Sequence, residues 1–66
     1  MGLSERVGPI TWTIKSLIDV VKARRQALKV SLSMGFPAPE ATKVAVVISE
    51  LGRNIVLYAE EGVITM

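Results

Sequence analysis

The sequence predicts an α+β fold in which a strand, two helices and a second strand follow one another, as in part of a two-layer α/β sandwich. Residues 10–15 are β-branched or aromatic and alternate in polarity, which is typical of a strand with one buried face. The long middle of the chain repeats apolar residues at helical spacing. It is interrupted once, between Gly35 and Pro39, and this interruption predicts two helices.

The two ends of the chain are the first elements to place. Residues 1–9 hold two glycines, a proline and charges, so we interpret them as an arm or an early strand. In residues 10–15 the apolar positions are Ile10, Trp12 and Ile14. Residues 63–66 begin a second strand. Proteins rarely leave the hydrogen-bonding edge of a strand unpaired and exposed. We therefore interpret the chain as the front part of a larger α/β sandwich or as a truncated one.

The first helix is predicted over residues 16–34, with Ser16 or Asp19 as its cap. Gly35 supplies its C-terminal stop, and Phe36 can fold back onto the helix end. Arg24 is an exception to the amphipathic pattern, because it falls inside the apolar arc. The predicted buried stripe consists of Val20, Ala23, Ala27, Val30 and Met34.

The second helix is predicted over residues 39–59. Pro39 suits its first position and Glu40 suits its first turn. Gly62 is expected to end the unit. Its predicted buried stripe consists of Val44, Val47, Ile48, Leu51, Ile55 and Tyr58.

Composition excludes several classes of function. The 66 residues form at most one domain, and they include neither cysteine nor histidine. Disulfides, thiolate metal sites and histidine-dependent catalysis are therefore excluded, and any catalysis must use carboxylates, lysine or arginine. A net charge of +2 is too small to favour nucleic acid as a partner. No secretory signal or membrane span is visible, so we expect a cytoplasmic protein.

Glu50 and Asn54 are the most informative pair in the sequence. Four residues apart on a helix, they point the same way. The carboxylate can accept a proton, and the amide oxygen can bind a hard cation. This combination suits phosphoryl transfer, which needs a base and a metal ion held close together.

The surrounding segment, Ile48-Ser-Glu-Leu-Gly-Arg-Asn-Ile-Val-Leu-Tyr-Ala59, resembles the N-box helix of the anti-sigma-factor serine kinases, a branch of the histidine-kinase-like (GHKL) ATPase superfamily. The best agreement is with the RsbT-type switch kinases of bacterial stressosomes. Three further segments are similar to that family, and together with the N-box they extend the resemblance over about residues 10 to 66. They are Asp19-Val-Val-Lys-Ala-Arg24, Gly35-Phe36 and Tyr58-Ala-Glu-Glu-Gly62.

The resemblance implies a role for each matching residue. Glu50 would be the general base, Asn54 would coordinate the Mg²⁺ that bridges the ATP phosphates, and Arg53 would lie beside the phosphate side of the pocket. ATP and Mg²⁺ would be the cofactors of the complete domain. The reaction would transfer the γ-phosphoryl group to a serine or threonine of a STAS-domain antagonist protein. The regulated partner would be a sigma factor or a phosphatase.

The sequence departs from the family in two ways. The Asp-x-Gly-x-Gly motif that holds adenine and the glycine-rich lid are both missing from the 66 residues, which predicts a single incomplete domain. We therefore expect this chain alone to bind no ATP appreciably. Gly52 stands where the family usually has alanine. The glycine either lets a neighbouring element approach the helix closely or only weakens the helix.

Two other functions compete with a kinase. The first is a non-catalytic interaction module that forms a homo-oligomer by edge pairing or segment exchange. The second is a DNA-binding helix pair, which is disfavoured because the Gly35–Pro39 connection is longer and stiffer than a helix-turn-helix turn. The basic cluster is either a solvated face or a docking surface for an acidic protein. It consists of Lys22, Arg24, Arg25 and Lys29.

Overall fold

The structure is a computed structural model that describes residues 10–66. The α+β class and the order strand, helix, helix, strand are confirmed. The predicted arm, residues 1–9, lies outside the described residues. The elements are β1 (Thr11–Ile14), α1 (Leu17–Ser33), α2 (Ala38–Tyr58) and β2 (Gly62–Thr65).

The two strands form an antiparallel sheet that presents one face to the helices. Trp12 pairs with Ile64, and Ile14 pairs with Gly62. The side chains of Trp12, Ile14 and Ile64 are buried, because alternate residues of a strand point to the same face. The opposite face is exposed and consists of Thr11, Thr13, Val63 and Thr65.

The helices form an antiparallel hairpin whose interface is built from small residues. Ala23 and Ala27 of α1 and Ala41 and Ala45 of α2 are all buried. The start of α1 lies against the C-terminal half of α2. Small side chains let the two backbones approach closely, so the buried stripe of each helix is narrow.

The buried stripe of α2 differs from the prediction. The structure buries Ala41, Ala45, Ile48 and Gly52. Ile48 was predicted correctly, and Val44 and Ile55 are partly buried. The prediction was wrong for three bulky residues, because the close approach of α1 turns the small residues of α2 inward. The exposed three are Val47 (55%), Leu51 (47%) and Tyr58 (83%).

The buried stripe of α1 agrees more closely with its prediction. Val20, Ala23 and Ala27 are buried as expected. Met34 is exposed, because it is the C-cap residue and lies beyond the last helical turn. Ser31, which was not part of the predicted stripe, is fully buried. The Ser31 hydroxyl has no hydrogen-bond partner among the described residues.

The ends of the helices confirm one predicted stop and correct another. Gly35 has φ 94° and donates its N–H to the Leu32 carbonyl, while Phe36 donates to the Ser31 carbonyl, which together form a Schellman motif. The left-handed residue after α2 is Glu60, with φ 62°, and Gly62, which was expected to end the unit, is the first residue of β2. A Cβ at Gly62 would lie 3.1 Å from the Ile55 side chain.

Candidate functional site

Glu50 and Asn54 both lie on the outward side of α2, one turn apart and exposed to solvent. Their separation along the helix axis is about 6 Å, given a rise of about 1.5 Å per residue. The buried stripe of α2 is centred on Ala45 and Gly52, and both side chains lie outside it, each next to a depression that flanks α2. Each side chain can therefore meet a molecule that approaches α2 from solvent.

Glu50 lines a groove between the two helices, which we call the interhelical groove. Its volume is about 610 Å³, and both helices contribute equally to its walls. Most of its floor is apolar, and its rim carries two arginines and the Glu50 carboxylate. The lining residues are Leu17, Val20, Val21 and Arg24 of α1, with Val46, Ser49, Glu50 and Arg53 of α2.

The Glu50 carboxylate pairs with Arg53, whose Nη1 atom lies 3.3 Å from Oε2. Both side chains are more than half exposed, so the pair contributes at most about 1 kcal/mol to stability. An ion pair this weak can open when another group competes for either partner. Glu50 is therefore available to accept a proton, and Arg53 is available to bind an anion.

Asn54 lines a different depression, between α2 and the outer edge of β2, which we call the strand-edge depression. It measures about 440 Å³, and no charged side chain is among the residues that line it. Asn54 and Thr65 supply its polar side chains. The remaining lining residues are Leu51, Ile55, Ala59, Val63 and Ile64. Glu50 and Asn54 thus share one side of α2 but line separate depressions.

The described residues offer little to hold a metal ion on their own. In residues 10–66 there is no cluster of three or more acidic side chains that could bind one. The Asn54 amide oxygen would be a single ligand, whereas Mg²⁺ takes six. Asn54 therefore fits an ion that arrives with most of its ligands, as phosphate oxygens and water.

The structure divides the predicted basic cluster between two surfaces. Lys22, Arg25 and Lys29 lie together on the solvent side of α1, where they line a shallow surface with Gln26 and Leu28. Arg24 lies on the other side and lines the interhelical groove near Glu50 and Arg53. Arg24 was not among the predicted site residues, although its position inside an apolar arc, at the end of the family-like segment from Asp19, sets it apart in the sequence.

Neither helix in residues 10–66 combines the length and the apolar character needed to cross a membrane.

These features define an α+β layer whose second helix presents an acid and an amide, one turn apart, on its exposed side. Part of the chain is similar to the serine/threonine-protein kinase RsbT of Bacillus subtilis (strain 168), with 41% identity over 44 residues. The similar segment is 67% of this chain and 33% of the kinase, so the chain spans about a third of the length of that relative. No protein-family model and no solved structure matches the sequence.

Proposed function

We propose that the chain contributes the base and the metal ligand of an RsbT-type serine/threonine protein kinase. The kinase would transfer the γ-phosphoryl group of ATP to a STAS-domain antagonist protein and thereby regulate a sigma factor in the cytoplasm. One observation carries the proposal: the chain is 41% identical to such a kinase over 44 residues. The exposure of Glu50 and Asn54 on one side of α2 supports it.

Glu50 would act on the attacking hydroxyl group. The hydroxyl oxygen forms a bond to the γ-phosphorus, the bond from that phosphorus to the bridging oxygen of ADP breaks, and the hydroxyl proton passes to the Glu50 carboxylate. Glu50 now pairs with Arg53 at 3.3 Å, and this exposed contact is easily exchanged. Arg53 released from Glu50 can then turn its guanidinium toward phosphate oxygens.

Asn54 would meet the nucleotide through its amide oxygen. Bound Mg²⁺ would neutralise charge on the phosphates. The strand-edge depression beside Asn54 is lined without charged side chains, so phosphates would lie at its rim rather than within it. The phosphoryl group would then lie over the outward side of α2, between Asn54 and Glu50.

A chimeric kinase tests the proposal. The segment of this chain that matches the Bacillus subtilis kinase replaces the corresponding 44 residues of that kinase. Phosphorylation of the kinase's own protein substrate is then measured. We expect a folded, active chimera in which Glu50→Gln lowers kcat by about 10²-fold or more, as expected for loss of a general base.

Lys29→Gln is the matched control in the chimera, because Lys29 is exposed on α1 and lies outside the interhelical groove. It should leave kcat within about twofold, since it touches no part of the proposed site. A chimera that folds but transfers no phosphate, or one that keeps full kcat with Gln at position 50, would disprove the proposal.

Self-association is a second candidate function, and the hydrogen bonding of β2 favours it. Ile10 and Met66 exchange both backbone hydrogen bonds, at 3.1 and 2.8 Å. Because such pairs alternate along an antiparallel ladder, Val63 and Thr65 direct their N–H and C=O groups toward the other edge of β2. Among residues 10–66 no strand covers that edge. A second copy could pair there, with Ile64 opposite Ile64 of the partner copy.

Light scattering over a concentration series tests this second candidate. We expect a dimer that dissociates when Val63→Lys places a charge at the edge, because edge charges oppose strand pairing. Thr13→Lys, on the exposed face of β1, is the control and should leave the dimer intact. A monomer at all concentrations would rule out self-association.

A further inference from the structure

The interhelical groove joins an apolar floor to a positively charged rim. On its floor, the Leu17 and Val46 side chains are 60% and 52% exposed, and Val21 is also exposed. A continuous apolar surface that remains open to water is typical of a place where another molecule binds. The strand-edge depression is also apolar, but no charged residue lines it, so it does not indicate which partner it would prefer.

The charges on the rim of the groove indicate the sign of the partner. Glu50 pairs with Arg53 across one turn of α2. Arg24, on the facing helix, makes no ion pair within residues 10–66. Among residues 10–66, the groove therefore keeps one uncompensated guanidinium beside its apolar floor. A guanidinium binds a carboxylate through two parallel hydrogen bonds, and it disfavours a basic partner.

The dimensions of the groove indicate the shape of the partner. Residues 17–24 of α1 and 46–53 of α2 form its two walls, and each stretch is about 10 Å long at about 1.5 Å per residue. Two turns of a helix are of this length and present apolar side chains at positions i, i+3, i+4 and i+7. A third helix laid between α1 and α2 would cover the floor and bring its flank to Arg24.

We propose that the interhelical groove binds an amphipathic helix of another protein, with apolar residues on the floor and an aspartate or glutamate of that helix bound to Arg24. Leu17 and Val46 then lose their contact with water, which drives the association. The Arg24 contact sets the orientation and the preference for acidic segments. This proposal is separate from the proposed kinase function, because it requires neither nucleotide nor Asn54.

A selection experiment on the 66-residue chain, without nucleotide, tests the proposal. A display library of random helical peptides is selected for binding, and the affinities of enriched peptides are measured by fluorescence anisotropy. We expect the enriched peptides to share apolar residues at helical spacing and at least one flanking acidic residue. Arg24→Glu should weaken their binding by about tenfold or more, and replacing the peptide's acid by lysine should restore it.

Matched controls locate the binding site. Lys29→Glu makes the same change of charge on the solvent side of α1, and Leu57→Gln removes an exposed apolar residue of α2 outside the groove. Both should leave affinity within about twofold, whereas Val46→Gln should weaken it by about fivefold or more. The proposal fails if no peptide is enriched, if the enriched peptides are basic, or if Arg24→Glu and Val46→Gln bind them as well as the parent chain.

Discussion

The α-carbon of Gly52 on α2 lies close to the Val20 side chain on α1. A methyl group attached to that α-carbon would lie 2.9 Å from one methyl of Val20 and 3.0 Å from the other. Contacts this short require one side chain or backbone to move. The valine has one strongly preferred rotamer in a helix, so it cannot turn both methyls away. Gly52 therefore sets the distance between the two helices beside the interhelical groove.

Gly52→Ala should destabilise the protein. Alanine improves helix propensity by about 1 kcal/mol, but overpacking of a filled interface costs about 1–3 kcal/mol. We expect a net loss of about 1 kcal/mol in the free energy of unfolding, measured by urea denaturation followed through the fluorescence of Trp12. In a Val20→Ala background the same substitution should instead stabilise. A more stable Gly52→Ala protein with Val20 intact would contradict the packing argument.

Gln26→Met should weaken the anchor of the single tryptophan. The indole N–H of Trp12 donates to the Gln26 side-chain oxygen at 2.6 Å in a partly buried position. Methionine preserves length and removes the acceptor, so we expect a loss of about 1 kcal/mol in urea denaturation followed by circular dichroism. Lys29→Met, on the exposed side of the same helix, should change stability by less than about 0.5 kcal/mol. Equal effects of the two variants would show that the hydrogen bond contributes nothing.

Glu60→Gly should stabilise the turn between α2 and β2. Glu60 has φ 62°, a left-handed conformation that costs a non-glycine residue about 1 kcal/mol. Glycine adopts it freely, so the melting temperature should rise. Glu61→Gly, one residue later, removes the same charge and should not raise it, because Glu61 has no positive φ. A melting temperature that rises equally in both variants would assign the effect to charge.

Asn54→Ala in the chimeric kinase should act on metal binding. If Asn54 supplies a ligand to Mg²⁺, its loss should raise the Mg²⁺ concentration that gives half-maximal rate by about tenfold or more. Saturating Mg²⁺ should recover much of kcat. Glu50→Gln should show the opposite pattern, with a lower kcat and an unchanged Mg²⁺ requirement. An unchanged Mg²⁺ requirement in Asn54→Ala would remove Asn54 from the proposed site.

The sequence alone determined the class of fold and the order of its elements, because these follow from local signals. Alternation from Ile10 to Ile14 predicts a strand, helical spacing predicts the two helices, and Gly35 ends the first helix at the residue where the structure has φ 94°. The sequence also determines that Glu50 and Asn54 lie on the same side of α2, because this depends only on the helical repeat.

Only the tertiary structure decided which face of α2 is buried. In α2, valine, leucine and alanine recur at helical spacing, and this pattern is compatible with more than one buried face. We predicted that the face with the bulkier residues is buried. The close approach of α1 at Gly52 selects the small ones instead and turns Val47, Leu51 and Tyr58 outward. This rotation places Glu50 at the interhelical groove with Arg24, a neighbour that the sequence could not assign because the contact joins two different helices.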